Sequence, residues 1–426
     1  MSAFDRRGAV ADLAARFASG FDPVLAGPRT VGREAEFPVV DAQGVLADVR
    51  ELIPALLAPG DLTLTRDQTG QIVGLEGDRF SFVLEVGLGT LEVITGPCPD
   101  LHTLNRHHEA GVDRVVAAAG DLGWRVLGLG IQPLTLRSTA IMTPKPRYAV
   151  LHDVIGDGWL WFCLTASDQI HVDVDRAEAI PVSDLANLLA GVTIALCANS
   201  SIQGGGDSGW CSTREAGMGE IGAGGHRHGM PAGPVRTFEG HVDRLVALPF
   251  LIEKQDGVPL AVGQPFDAWM AGHGVDYDAF LLHEHYVWNS ARPRSRQGTV
   301  ELRAACQQPP DAPHAAAALH LALVEAHPAL GAQLTAWFGA DPWTPLRAWH
   351  RAVLRQGLGA SEPVDGFLAT VLGLCSDALT ARGLDEAQLL TPLFDRLAAG
   401  ENPAQQATRL VAEQGLKALL ESRSFR

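Results

Sequence analysis

Over roughly the first 310 residues, short runs of alternating apolar and polar residues are interleaved with stretches of helical spacing. Period-two alternation marks strands, and apolar residues recurring every three to four positions mark helices. Strands are expected over Thr30–Val40, Ser81–Val93, Trp124–Gly130, Gln169–Val174 and Gly298–Ala304. Helices are expected over Leu52–Leu57, Leu101–Leu122, Pro181–Ala198 and His241–Leu248. The remainder changes character: Ala315–Phe338, Pro345–Gln356, Val364–Ala381 and Ala404–Leu420 are Ala/Leu-rich, helically spaced and punctuated by Gly and Pro. The strands follow one another through hairpins and irregular connections without a βαβ cadence. An α+β fold with an antiparallel sheet is therefore expected, carrying a helical C-terminal layer.

At the N-terminus, Asp5, Arg6, Arg7, Asp12 and Arg16 interrupt the apolar residues of Met1–Phe21. That segment reads as an amphipathic surface helix and lacks the uninterrupted apolar region of a secretion signal. The glycine- and histidine-rich stretch Gly204–Gly233 is too long for a simple connection and reads as a structured binding loop or mobile lid.

Composition narrows the function classes. The chain has 426 residues, of which 46% are hydrophobic, enough for a sizeable core. Its 33 Lys and Arg against 49 Asp and Glu give a net charge of −16. Such a balance disfavours nucleic acid, whose binders cluster Lys and Arg. It leaves nucleotides open, because divalent metals held by acids can carry their phosphates. Six scattered cysteines, with no CxxC pair, read as small buried hydrophobes. No apolar run approaches the roughly 18 residues of a membrane span. A cytoplasmic protein without membrane or nucleic-acid partners is expected, and a homo-oligomer is left open.

The chemistry is concentrated on strand faces, because residues i and i+2 of a strand point the same way. Glu34 and Glu36 share a face in Gly32-Arg33-Glu34-Ala35-Glu36-Phe37. Gln169, His171, Asp173 and Asp175 share one opposite Ile170, Val172 and Val174. Glu301 and Arg303 share one opposite Val300 and Leu302. Glu85 and Glu92, seven apart, share a face only if the intervening glycines introduce a bulge or turn. Each segment alone also reads as an ordinary strand with a solvated polar face. Jointly they are rich in Glu and nearly free of Lys, and like charges across a sheet repel unless neutralised. The set therefore points to divalent cations, with oxygen donors suiting Mg²⁺ or Mn²⁺ better than zinc. Arg147, Arg214 and Arg303 are candidate partners for phosphate or a substrate carboxylate, although a lone Arg is ordinarily a surface ion pair.

At these residues the sequence resembles the glutamate–cysteine ligase type 2 family, which includes bacterial carboxylate–amine ligases and is related to plant-type glutamate–cysteine ligases. Gly32–Phe37 with Asp41 resembles its opening strand, and Glu85 to Glu92 with Thr95, Pro97 and Cys98 its second acidic segment. Gln169-Ile170-His171-Val172 looks like its His-bearing strand. Ala198-Asn199-Ser200, Asp207-Ser208-Gly209-Trp210 and Arg214 resemble its Ala-Asn-Ser, Asp-Thr-Gly-aromatic and Ser-x-Arg run. Trp288, Arg292-Pro293 and Gly298–Arg303 look like its last sheet motif. Gly130-Ile131-Gln132-Pro133 and Pro144-Lys145-Pro146-Arg147-Tyr148 are closer to the plant-type branch. The matches run in order from about residue 30 to 305.

The resemblance implies a glutamine synthetase-like sheet cradle flanked by helices. It divides the chain into a catalytic α+β body over residues 1–310 and a helical layer over 311–426 packed on the same domain. It also implies ATP, Mg²⁺ (with Mn²⁺ as the variant) and amide formation through an acyl phosphate. Glu34, Glu36, Glu85, Glu92, His171 and Glu301 would hold metal. Arg303, Glu301 and Arg214 would serve catalysis, and Lys145, Gln169 and Arg303 would hold ATP. Arg147, Tyr148, Asn199, Trp288 and Arg292 would bind substrate. The partners are small amino acids or amines, or a peptide, with γ-glutamyl transfer to an amine such as cysteine as the first expectation.

The chain also departs from the family pattern. Leu88-Gly89-Thr90-Leu91-Glu92 replaces the plant-type Gly-Gly-Gln-Phe-Glu, and Ser201 stands where Pro is usual. His226, His228 and His283-Glu284-His285 have no clear counterpart and read mostly as surface or capping residues. These differences keep open the same ligation on another acid and amine, as in specialised-metabolite biosynthesis. A metallohydrolase and a non-catalytic homologue are further alternatives.

Overall fold

The alternation over Val31–Val40 becomes a strand, β1, with Val31, Arg33, Ala35 and Phe37 buried on one side and Glu34 and Glu36 on the other. The computed structural model describes residues 4–221 and 227–426. In it, β1 lies near the middle of a nine-stranded sheet. The others are β2 (Thr63–Arg66), β3 (Ile72–Glu76), β4 (Phe80–Leu84), β5 (Thr90–Cys98), β6 (Arg125–Val126), β7 (Asp168–Asp173), β8 (Ala291–Arg294) and β9 (Thr299–Leu302). Their order is β8-β9-β7-β1-β5-β4-β3-β2, with β6 pairing the far end of β1. Every ladder of this sheet is antiparallel, as the connections led us to expect.

One face of the sheet is dry. Ala35, Phe37, Leu91 and Val93 pack with Val112 and Val115 of the helix Leu101–Asp121. Ile170, Val172, Val300 and Leu302 join a core with the helix Ala315–Glu325, whose first ten residues are all buried. Small alanines let that helix approach the sheet closely, and its core is continuous with the N-terminal helix Arg6–Ala18 through Leu13 and Phe17. The C-terminal helices thus share one hydrophobic core with the sheet.

The dry face also holds an ion pair. Arg33 and Asp168, both 0% exposed, meet in a two-pronged bond of 2.7 and 2.8 Å, and Arg33 also donates to the Pro313 carbonyl at 2.6 Å. Burial pushes the Asp168 carboxyl up, and Arg33 only partly offsets it.

Several expected elements are broken, each for a local reason. Ser81–Val93 is a hairpin of β4 and β5, not one strand. The chain reverses at Gly87, where any Cβ would sit 2.0 Å from the Cys163 carbonyl oxygen. Trp124–Gly130 forms ladder hydrogen bonds only over the two residues of β6. Pro181–Ala198 is two helices, Ala179–Leu188 and Ala190–Cys197, bent by 49°. Ala315–Phe338 breaks by 76° at Ala326, because Pro328 cannot continue the preceding helix. Ala404–Leu420 is interrupted by Gly415 at φ 81°. Among the described residues, no single helix is long and apolar enough to cross a membrane.

Removing one partner of a buried ion pair strands the other charge and costs about 3–5 kcal/mol. Arg33→Met should therefore lower unfolding stability by that order in urea titration. Ordinary stability in this variant would mean that Asp168 is neutral in the folded protein.

Candidate active site

The opposite face of the sheet is polar, and the register decides which of its groups meet. β9 sets Glu301 opposite His171, and β7 sets His171 opposite Gly32 and Gln169 opposite Glu34. On the other flank of β1, Glu36 stands opposite Glu92. Because β4 and β5 form a hairpin, Glu85 continues the Ser81–Val83 face and arrives on the same side. The turn that the glycines had to supply is present.

Two acidic clusters result. In the first, single ligand atoms of Glu34, His171 and Glu301 lie within 4.8 Å of one another. His171 Nε2 is 3.2 Å from Glu34 and 3.9 Å from Glu301, yet it is buried without a hydrogen-bond partner among the described residues. Its Nδ1 is 2.9 Å from Thr299 Oγ1. With hydrogen on Nδ1 donated to Thr299, Nε2 would be free to ligate a cation held between the two carboxylates, as a metal-ligating imidazole is oriented by the partner of its other nitrogen.

Glu301 is fixed by arginines. Arg292 grips it with Nε and Nη2 at 2.8 and 3.1 Å, Arg303 donates to Oε1, and Arg294 Nε lies 3.4 Å from Oε2. Burial alone would raise its carboxyl, but Arg292, Arg303, His171 and Arg294 hold it well below the usual carboxylate range. At Glu34 burial pushes upward, and the electrostatic pull of His171, 3.2 Å away, outweighs it, so the net shift is downward. Both acids are ready to hold a cation.

The second cluster lacks that balance. Glu36 is pushed up to about 7 by burial and then by the charge of Glu85. Glu92 is driven well above the carboxylate range by burial and by Glu85, Glu34 and Glu36. Acids that repel in this way are relieved by a divalent cation, and an all-oxygen set suits Mg²⁺ or Mn²⁺. The residues Glu34, His171 and Glu301 therefore fit one cation site by geometry, and Glu36, Glu85 and Glu92 form a coupled acidic set beside it.

The remaining expected site residues divide by position. Gln169 bridges the clusters, donating to Glu36 at 3.2 Å and accepting from Arg303. Lys145 is buried with its ammonium on the Leu84 carbonyl, and burial brings it down to about 8. Arg147 donates to the Tyr148 hydroxyl at 3.2 Å. Arg214 is buried rather than at the surface, with Nε lacking a hydrogen-bond partner among the described residues and Nη1 3.6 Å from Glu215 Oε2. Three residues expected to touch substrate have other occupations. Asn199 is 0% exposed and spends its amide on the carbonyls of Gly128 and Gln307. Trp288 packs against Trp159, Phe162 and Tyr286. Arg292 divides its donors between Glu301 and the carbonyls of His285 and Val287, so it positions Glu301.

The unmatched histidines differ: His285 is exposed, as expected, whereas His283 and His228 are not. His283 is buried, stacked on Phe266 and bonded to the Leu245 carbonyl, while His228 lies 3.8 Å from the buried Glu215. His226 lies outside the described residues. The glycine-rich stretch contains the helix Thr213–Met218 and a strand, His228–Gly229, paired with Trp288–Asn289. Thr299 and Arg294 were not anticipated, though strand alternation from Glu301 and Arg292 places both on the site face.

A cavity of about 630 Å³ opens at the first cluster, lined by Gly32, Glu34, Gly96, His171, Gly298 and Thr299. A second, of about 600 Å³, lies beyond the edge strand β8 and is lined by Arg147, Glu284, His285 and Arg294 among others.

Comparison with known proteins identifies the family and the fold. Residues 30–422 match the family model described as glutamate-cysteine ligase family 2. The chain is 27% identical over 405 residues to the glutamate–cysteine ligase of Halobacterium salinarum, covering 92% of this chain and 95% of that enzyme. It is 28% identical to the glutamate–cysteine ligase EgtA of Mycolicibacterium smegmatis, covering 72% and 73%. The chloroplastic glutamate–cysteine ligase of Arabidopsis thaliana is 27% identical, covering 79% and 67%. The glutamate–cysteine ligase of Francisella tularensis, solved in complex with AMP, shares the fold at TM-score 0.53 and 10% identity, covering 95% of this chain and 88% of that one.

The second cluster predicts a pH dependence. A carboxyl raised to about 7 must lose its proton to ligate a cation, so Mn²⁺ affinity should fall as pH drops through 7, by up to about tenfold per unit for each proton released. Because the folded form of Glu36 holds its proton more tightly than the unfolded chain, the metal-free protein should lose stability between pH 4.5 and about 7. Mn²⁺ should restore it. Calorimetric Mn²⁺ titrations and thermal melts across this window test both, and a pH-independent Mn²⁺ affinity would remove Glu36 from the site.

Proposed function

The chain belongs to glutamate–cysteine ligase family 2 and is an ATP-dependent ligase; from that premise we propose that it joins a carboxylate to an amine through an acyl phosphate. The observation that carries this reading is the pair of acidic clusters on one sheet face, flanked by Arg214 and Arg303. The acid is the γ-carboxylate of glutamate, and the acceptor is an amine, cysteine being the one in the relatives' names.

In the first step a carboxylate oxygen of the acid attacks the γ-phosphorus of ATP, and the bond to the β-phosphate oxygen breaks to release ADP. Negative charge spreads over the transferring phosphoryl group, so catalysis rests on positioned positive charge rather than covalent help. Arg303, held between Glu301 and Gln169, and Arg214, whose buried Nε has no hydrogen-bond partner among the described residues, would supply it. Mg²⁺ bound by the two clusters would neutralise the phosphate charge. In the second step the amine nitrogen attacks the acyl carbon, the carbon–oxygen bond to phosphate breaks, and inorganic phosphate departs. The ammonium proton passes to a carboxylate or to phosphate.

The cavity beside Glu34 and His171 is sized for a nucleotide and is the ATP side of the cradle on this reading. Arg147 and Tyr148, toward Glu85, form the substrate side, and Lys145, expected to hold ATP, sits beside them with its ammonium on the Leu84 carbonyl.

Glu301→Gln and Arg303→Ala should each lower ADP release with acid and amine present by at least about a hundredfold, as loss of a transition-state donor does elsewhere. Circular dichroism should show both variants folded. Near-normal turnover in either would remove β9 from the reaction centre. ADP release dependent on both acid and amine separates a ligase from a metallohydrolase, which would cleave an amide with metal alone.

A further inference from the structure

The cavity beside Glu34 and His171 is bordered at the strand ends by a segment that the chemistry above does not use. On the site face, Glu34 is followed outward by Gly32 and then by Thr30, just before β1, and His171 is followed by Asp173. A strand rises about 3.3 Å per residue, so Thr30 lies about 13 Å along the sheet from Glu34. Gly32, opposite His171, has no side chain to fill the floor between them. Residues 22–30 form a strap at that outer end, and Asp22, Leu25 and Thr30 line the cavity.

The strap is held at its two ends. Arg176 donates to the carbonyls of Ala18 and Phe21 at 3.0 Å each, and its backbone N–H donates to the Asp22 carbonyl at 2.8 Å. At the other end Arg29 grips Glu178 with Nη1 and Nη2 at 2.8 and 2.7 Å, and donates to the Asp173 carbonyl at 2.7 Å. Thr30 Oγ1 donates to the Asp173 carboxylate at 2.6 Å. Between these clamps, residues 23–28 make no hydrogen bond among the described residues, and Val24 is 74% exposed.

Arg29 also ties the strap to the C-terminal helices. Its Nε lies 3.4 Å from Glu325, the last residue of the helix Ala315–Glu325. Arg382, which ends the helix Phe367–Arg382, pairs with the same Glu325 and donates to the Arg29 carbonyl at 3.5 Å. It also donates to the buried Glu386 at 2.6 Å, which accepts from the Leu101 amide at the start of the helix packed on β5. A two-pronged, shielded network fixes geometry in a way that an isolated surface pair does not.

Leu25 is half-buried and shares the cavity with Pro97, while Asp22, Arg296 and Gln297 supply polar groups to the same walls. Apolar surface with a few polar groups is what a nucleoside needs. Phosphates drawn to the acidic cluster through a cation leave the base directed toward the strand ends. Resting on the ligase reading above, we propose that the strap is the base-binding wall of the nucleotide cavity, with Leu25 packed on the adenine. Arg29 is its positioning residue, acting through Glu178, Glu325 and Arg382, so the C-terminal helical layer sets the affinity for ATP.

The test uses the full-length protein with Mg²⁺. It reads ADP affinity by calorimetry, which needs no turnover, beside ADP release with acid and amine. Leu25 is half-buried on a loop, so its variants should fold. Leu25→Asp should weaken ADP binding and raise the ATP KM about tenfold, with Leu25→Ile within about twofold of the wild type. Arg29→Met and Glu325→Gln should each raise the ATP KM about fivefold, an effect confined to KM and not kcat. Combined with Leu25→Asp, Arg29→Met should add nothing, because it acts through the strap. An ion pair that only stabilises the fold would lower the melting temperature, leave ADP affinity alone and overturn the positioning role.

Unchanged ADP affinity in Leu25→Asp overturns the base assignment, and the ligase reading stands if the wild type still releases ADP. If no acid–amine pair releases ADP, the ligase reading fails. ADP binding that Leu25→Asp weakens then still supports the strap as a nucleotide wall, and a wild type that binds no ADP overturns it.

Discussion

Six ligand-bearing side chains forced onto one sheet face set the terms for everything else in this molecule. Glu34, Glu36, Glu85, Glu92, His171 and Glu301 come from five strands or their ends, and no two of the carboxylates can approach without repulsion. The structure answers that repulsion unequally. Around Glu301 it supplies Arg292, Arg294 and Arg303, which hold the acid ionised. Around Glu36, Glu85 and Glu92 it supplies too little compensating charge, and two of the acids are pushed upward. One end of the cradle is therefore preorganised by arginine, while the other stores electrostatic strain that a cation would release.

Holding such a face requires rigidity beneath it. The dry side of the sheet is packed against Ala-rich and Leu-rich helices, and Arg33 and Asp168 cross-link β1 and β7 there by a two-pronged bond. The same two strands carry Glu34, Glu36, Gln169 and His171 on the other side. A shift of register by one residue would turn these groups into the hydrophobic core, so the buried ion pair and the apolar face together fix the site's geometry. The hairpin at Gly87 plays the same part for Glu85 and Glu92, since only a residue without a side chain clears the Cys163 carbonyl.

Much of this was legible along the chain because strand alternation is a local property. Glu34 with Glu36, His171 with Gln169, and Glu301 with Arg303 could each be paired from spacing alone, and the antiparallel class followed from the connections. Strand alternation carries no information about partners, so it could not show that Arg292 is saturated by Glu301 and two carbonyls. Nor could it show that Asn199 is spent on loop carbonyls. Helix breaks at Ala326 and Gly415 were passed over for a related reason: apolar periodicity continues across them although the backbone does not.

The opening pattern of polar and apolar positions determined that acids would gather on strand faces. Tertiary structure alone decided which acids meet, which are balanced by arginine, and which stay in conflict. It also decided that Glu284 and His285, noted in sequence only for lacking a family counterpart, line a cavity beside the sheet. The physical reason is range. Side-chain direction is set within two residues, whereas ionisation depends on charges and burial contributed by segments hundreds of residues apart.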